Sequence, residues 1–273
     1  CAAVDVWCLS PDLGKMAFLL SDRTLDFHAP YGTHYKVRVP SAGRRLLYDG
    51  AKCTLHVASG QRSVAHRLDL DSGTFLSDLE VGSQSSCCDL GRGVPLTAFG
   101  CEDGIVRFFD ARTSSVSPVA LLDVGNDVTS LAFDGDGLRI ACGTADAEVK
   151  LYDLRSKRPT LTKAHQNMLP IVDLKWHSSS KETASQLILS SDARVLKAWD
   201  SRDGKVFTNV EPSSPLNHVA VAPSSDQRDS GLILMAGEQA RVMAYYVPAL
   251  GRAPRWCASV WKSSSESCCS VER

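Results

Sequence analysis

His165, Ser190 and Asp192 supply the three side-chain types of a nucleophilic set: an imidazole to take a proton, a hydroxyl to attack and a carboxylate to orient the ring. The chain has no GxSxG elbow to present that serine at a strand-to-helix turn. Ser190 instead ends an apolar run and Asp192 opens the following turn, so a structural hydrogen-bond role is the stronger reading. Seven histidines, at 28, 34, 56, 66, 165, 177 and 218, nowhere take a metal-binding helical spacing with a second ligand. Asp134-Gly135-Asp136-Gly137 opens like a calcium loop but lacks the distal acidic ligand, and reads as a hairpin turn. Gly91-Arg92-Gly93 lacks the third glycine and the helix of a phosphate cradle, and reads as a connection between repeated units. No acid, base and nucleophile converge, so no enzyme activity, cofactor, metal or small-molecule substrate is expected.

Other groups could bind rather than react. Lys36, Arg38, Arg44 and Arg45 surround one connection, and Arg155, Lys157 and Arg158 follow another strand. A solvated loop is the plain reading of each cluster, and contact with RNA phosphates the functional one. Near the C-terminus, Tyr245, Tyr246, Arg255 and Trp256 combine aromatic and cationic groups of the kind that dominate interface energetics, against the plain reading of a last strand and its proline-stiffened exit.

These residues sit in a repeat. A turn acid, a β-rich run and an aromatic-Asp pair recur as Glu102 to Asp110, Asp146 to Asp153 and Asp192 to Asp200, with a weaker echo from Ala240 to Val247. The closing positions 110, 153, 200 and 247 are 43, 47 and 47 residues apart, near the period of about 40–45 of WD40 propeller blades. Asp69 lies 41 residues before Asp110, and His28 a further 41 before that, so about six third strands are present, closed by Asp69, Asp110, Asp153 and Asp200 where the pattern is clearest. Between them, runs such as Val128 to Phe133 and Leu138 to Gly143 alternate apolar and polar residues around Asp-Gly turns, the pattern of hairpins. One small sheet cannot bury both its faces, so such units must stack. The expected fold is an all-β, WD40-type β-propeller over residues 1–257, incomplete at its N-terminus, with an unstructured polar tail over 258–273. In the unit ending at Asp200, His165, Ser190, Asp192 and Trp199 resemble the hydrogen-bond relay of WD40 blades; Phe109 and Tyr152 replace the tryptophan elsewhere.

Composition narrows the function classes. The 273 residues carry a formal net charge of −1, so no global field advertises nucleic acid or membrane, and RNA contact must be local. No apolar run approaches a membrane span, and no secretory signal is visible. The ten cysteines contain no CxxC; Cys53, Cys101 and Cys142 fall in or beside strand patterns as small hydrophobes, which suits a reducing compartment.

Three stretches resemble the nucleolar protein 10 family, called essential nuclear protein 2 in yeast: residues 21–47, Val195 to Asn217, and the run Tyr245-Tyr246-Val247-Pro248 through Pro254-Arg255-Trp256-Cys257. Against that family the chain reads as a fragment lacking an N-terminal blade, which would be the seventh, and a C-terminal extension. The resemblance implies a non-enzymatic scaffold of the small-subunit processome in 18S rRNA maturation, located in the nucleus and nucleolus. Its expected partners are other ribosome-assembly proteins and pre-ribosomal RNA, touched directly or through the particle. The alternative is a generic WD40 adaptor, such as a ubiquitin-ligase substrate receptor or a signalling platform, which would not need the 245–257 exit sequence.

Overall fold

The computed structural model describes residues 2–10, 14–91, 93–113, 115–178, 186–223, 229–237, 242–248, 250–254 and 257, and every element among them is a β-strand. By internal contacts the chain divides into two compact units, Cys1–Ala164 and His165–Arg273. The expected tail over 258–273 lies outside the described residues.

The first unit holds four antiparallel sheets, each formed by strands consecutive in the chain. Sheet one is β1 (Ala3–Cys8), β2 (Met16–Leu20), β3 (Thr24–Ala29) and β4 (Gly32–Arg38). Sheet two is β5 (Gly43–Asp49), β6 (Thr54–Ser59), β7 (Val64–Asp69) and β8 (Thr74–Phe75), with β9 (Leu79–Glu80) also pairing β7. Sheet three is β10 (Ser85–Leu90), β11 (Leu96–Cys101), β12 (Ile105–Asp110) and β13 (Ala120–Asp123); sheet four is β14 (Val128–Phe133), β15 (Arg139–Thr144), β16 (Glu148–Asp153) and β17 (Pro159–Ala164). The second unit holds sheet five, with β18 (Asp173–Ser178), β19 (Gln186–Ser191), β20 (Leu196–Asp200) and β21 (Val206–Val210), and a three-stranded sheet six, with β22 (Leu216–Pro223), β23 (Asp229–Gly237) and β24 (Val242–Tyr246). The first strand of sheet five begins at Asp173, two residues later than the Ile171 start of its apolar run.

Burial explains why the strands differ in composition. The second strands carry small and apolar side chains without strict alternation, as in Ala98-Phe99-Gly100-Cys101 and Ile140-Ala141-Cys142-Gly143, because they are covered on both faces. Outer strands such as β17 alternate exposed and half-buried positions. Leu19, Leu25, Leu46 and Leu55 join sheets one and two, Ala65, Leu79, Phe99 and Phe109 join two and three, and Val106, Phe108, Ile140 and Tyr152 join three and four. Each fully buried Leu or Phe contributes about 1.5–3 kcal/mol. Close approach also demands glycine: a Cβ on Gly100 would stand 2.6 Å from Cys87 Sγ and 2.7 Å from Val128 Cγ1.

A carboxylate ties neighbouring sheets within each unit. Asp5 on β1 accepts the Leu46 N–H of β5 at 2.7 Å, Asp89 on β10 accepts the Phe133 N–H of β14 at 2.7 Å, and Asp173 on β18 accepts the Val219 N–H of β22 at 2.9 Å. Each satisfies a backbone donor of the next sheet's first strand, a place where an orphaned N–H would be costly.

The Asp134 to Gly137 segment is the β14–β15 hairpin turn, with Gly137 at φ 70° and the buried Asp134 accepting Leu138 N–H and pairing with Arg139 at 2.9 Å. Gly91 and Gly93 differ from expectation, because they lie in the hairpin loop between β10 and β11 rather than between sheets. Glycine is needed there because a Cβ on Gly93 would meet the Asp136 carbonyl oxygen at 2.1 Å. Cys101 and Cys142 are buried, whereas Cys53 is half-buried in a turn at φ 52°.

Candidate functional site

His165 precedes β18, Ser190 lies in β19, Asp192 opens the β19–β20 turn and Trp199 stands in β20. All four are at most 1% exposed. His165 Nδ1 is 3.0 Å from Asp192 Oδ2 and Nε2 is 2.8 Å from Ser190 Oγ, while Trp199 Nε1 donates to the same Oγ at 2.9 Å. One tautomer satisfies every group: Nδ1–H donates to Asp192, the Ser190 hydroxyl donates to Nε2, and its oxygen accepts the indole N–H. Asp192 also accepts the Arg194 and Val195 N–H groups at 2.6 and 2.8 Å and the Asn167 amide at 3.2 Å. Burial alone would raise this carboxyl, but the Arg194 and Val195 N–H groups and the His165 ring hold it below the usual range. The Ser190 hydroxyl is fully buried, with its proton given to His165 and its oxygen held by the indole, so it has no path to a substrate.

A second set of the same side-chain types, marked by no repeat spacing, stands at sheet two. His66 on β7 places Nδ1 2.9 Å from Asp78 Oδ1 and Nε2 2.6 Å from Ser41 Oγ, which is 2.9 Å from Ser59 Oγ. Ser59 already accepts the Gln61 and Arg62 N–H groups, so protons run from Ser59 to Ser41 to His66 to Asp78. Ser41, Ser59 and His66 are at most 3% exposed. This is a triad by atom types and a brace by access.

Asp69, Asp110, Asp153 and Asp200 end their third strands. Three hold the arginine two residues on in a fork, Arg112 at 2.7 Å, Arg155 at 2.6 Å and Arg202 at 2.7 Å. Hydrogen bonds from Arg112 lower the Asp110 carboxyl to about 2. Asp69 instead accepts the Ser72 hydroxyl at 2.7 Å.

The basic candidates divide. Lys36 pairs with Asp26 at 3.0 Å, Arg44 with Glu102, Arg45 with Asp5 at 3.9 Å and Arg155 with Asp153. Arg38, Lys157 and Arg158 have no ion-pair partner among the described residues. Tyr245 packs against the second unit's core while Tyr246 is 38% exposed; Arg255 and Trp256 lie outside the described residues.

One feature no motif announced is a cavity of about 80 Å³ between sheets two and three. His56, Thr97 and Phe109 form its base, with Lys52 and Arg67 above them. Neither ring nitrogen of His56 has a hydrogen-bond partner among the described residues, although the residue is only 7% exposed. Burial, with the charges of Arg67 and Lys52, lowers its pKa to about 4. Among the described residues no group of three or more His, Cys, Asp or Glu is placed to hold a metal ion, and no helix is long and apolar enough to cross a membrane.

The β-propeller family described as nucleolar protein 10-like, N-terminal domain, matches residues 1–266. Nucleolar protein 10 of Xenopus laevis is 38% identical over 262 residues, covering 92% of this chain and 36% of that protein. The human nucleolar protein 10 is 38% identical over 264 residues with the same coverage. The Schizosaccharomyces pombe ribosome biogenesis protein enp2 homolog is 35% identical over 268 residues, 92% of this chain and 41% of that protein. The chain thus spans little more than a third of its vertebrate relatives. A chain from a crystal structure of a mitotic checkpoint complex superposes with a TM-score of 0.74 at 19% identity, over 90% of this chain and 73% of that one, and shares the fold alone.

Proposed function

The chain belongs to the nucleolar protein 10-like family, and on that premise we propose that it is a non-enzymatic scaffold of ribosome biogenesis, working in the nucleolus within the small-subunit processome during 18S rRNA maturation. The observation that carries this reading is the match of residues 1–266 to a family whose members include a protein named for ribosome biogenesis. The geometry supports the non-enzymatic part. In both Ser–His–Asp sets the serine and histidine are buried with their protons committed, so the side chains best equipped for nucleophilic chemistry serve the sheets.

The partners on this reading are assembly proteins and pre-ribosomal RNA. Among the basic candidates, Arg38, Lys157 and Arg158 are the most available to phosphate, since the others already face carboxylates. Each phosphate neutralised would steepen the salt dependence of binding by about 0.7–0.9 in log–log slope. The test places Arg38→Glu, Lys157→Glu and Arg158→Glu together in the full-length protein and follows sedimentation with pre-ribosomal particles. Reduced co-sedimentation with a shallower salt slope is expected; unchanged behaviour would remove RNA contact from these residues. A fluorescently tagged full-length protein should collect in nucleoli, and a diffuse cytosolic signal would favour the adaptor alternative.

A further inference from the structure

The cavity between sheets two and three is built like a receptor. At the register where sheet five pairs Ile188 with Trp199, sheet three pairs Thr97 with Phe109. Both members are smaller, and the space lies against the β6–β7 face that carries His56 and Arg67, cross-strand neighbours. Its base is closed by buried His56, Thr97 and Phe109, while Lys52 at the mouth is exposed.

Its polar groups are short of acceptors. Arg67 donates from Nε and Nη2 to the Ser77 carbonyl and hydroxyl, both at 2.8 Å, and Nη1 has no acceptor among the described residues. Among the described residues neither Lys52 nor Arg67 has an ion-pair partner, and the imidazole of His56 has no hydrogen bond. Two carboxylates line the same space. Asp49 accepts the Ala51 N–H, and Asp110 is gripped by Arg112. Asp110 is thus committed to a cation outside the lining, so within the cavity Lys52 and Arg67 face one carboxylate without a cationic partner among the described residues, Asp49, a balance that admits one negative charge. We propose that this cavity is a receptor for a single carboxylate group, held by Lys52 and Arg67, with His56 donating a hydrogen bond from its base. Leu79 and Phe109 would cover the aliphatic stem of a glutamate or acetate, and the volume suits a group of that size.

The low pKa of His56 agrees with this use, because a neutral ring at physiological pH can donate one N–H without adding a third fixed charge. Arg67 is lowered as well, by burial that the charge of Asp78 only partly offsets.

The test uses the 273-residue chain labelled with 15N at histidine. Sodium acetate is titrated against matched sodium chloride, and in a second arm a capped peptide containing one glutamate is titrated against its glutamine counterpart. The expected result is a saturable shift of the His56 ring resonances, with a Kd on the order of 1 mM. Tighter binding of the glutamate peptide than of acetate would assign the site to an acidic residue of a partner, and the reverse order to a free carboxylate; either supports the proposal. Lys52→Met, at an exposed position, and Arg67→Met, verified as folded by circular dichroism, should each weaken binding at least about tenfold. Absence of a saturable shift, variants that bind like the parent, or a crystal soaked in acetate showing only water in the cavity would each overturn it.

Discussion

His165 and His56 are both buried imidazoles, and their surroundings could hardly differ more. His165 has a carboxylate on one nitrogen and a hydroxyl on the other, with an indole closing the chain. His56 has two cations nearby and no hydrogen bond among the described residues, its Nδ1 being buried without a partner. Since a buried polar group is stabilising only when its hydrogen bonds are made, the first imidazole is a fixture and the second a liability unless a ligand or water completes it. The same residue type at the same depth therefore marks structure in one sheet and a site in another, and the partner count tells them apart.

The largest effect that could break this contrast is at Trp199. Trp199→Ala removes a fully buried indole and the donor to Ser190, and should destabilise by roughly 3–5 kcal/mol in urea unfolding. A loss below about 1 kcal/mol would mean the relay braces nothing. Next comes acid. The native state holds His56 near 4, while the unfolded chain titrates near 6.5, so folding disfavours the protonated ring. Its contribution is complete above pH 6.5 and falls as pH drops toward 4, by about 3 kcal/mol. Asp192 and Asp173, whose carboxyls are lowered on folding, lose their contributions only below about pH 4. His56→Leu should abolish the upper window and keep the lower one, as followed by urea midpoints across pH.

His165→Leu is smaller but opposite in sign to the matched change at His56. It strips Asp192 and Ser190 of a shared partner while Asp192 keeps two backbone donors, so a cost of about 2 kcal/mol is expected at neutral pH. His56→Leu fills similar volume with an apolar group that needs no partner, and should be neutral or stabilising under the same conditions. Equal losses in the two variants would erase the distinction between wired and unwired histidines.

What could be read from sequence follows the same divide. Third strands were visible because aromatic-Asp endings recur at the blade period, and the His165 set because its members flank a single hairpin. The outer strands were not, since β13 is four residues long and mostly exposed, and β17 begins with a proline. The carboxylate ties from Asp5, Asp89 and Asp173 carried a signal that could have found them: their donors lie 41, 44 and 46 residues downstream, about one repeat. His66 offered none, because its partners at 12 and 25 residues match no periodicity. The cavity was hidden for a deeper reason. It arises from two modest contractions, Thr97 and Phe109, whose joint consequence depends on what faces them from the neighbouring sheet.

The smallest expected effect concerns charges that are paired yet exposed. Arg155 grips Asp153 at 2.6 Å, but its side chain is 78% exposed, so water competes for both ions and salt screens them. Arg155→Ala should leave the thermal midpoint unchanged while the Asp153 carboxyl, held low chiefly by hydrogen bonds from Arg155, moves up toward the ordinary range in a 13C-detected pH titration. The two readouts separate a local electrostatic bond from a structural one. Were the midpoint to fall as far as in His165→Leu, the Asp-x-Arg fork would rank with the buried relay, and burial would no longer decide which polar contacts hold these sheets together.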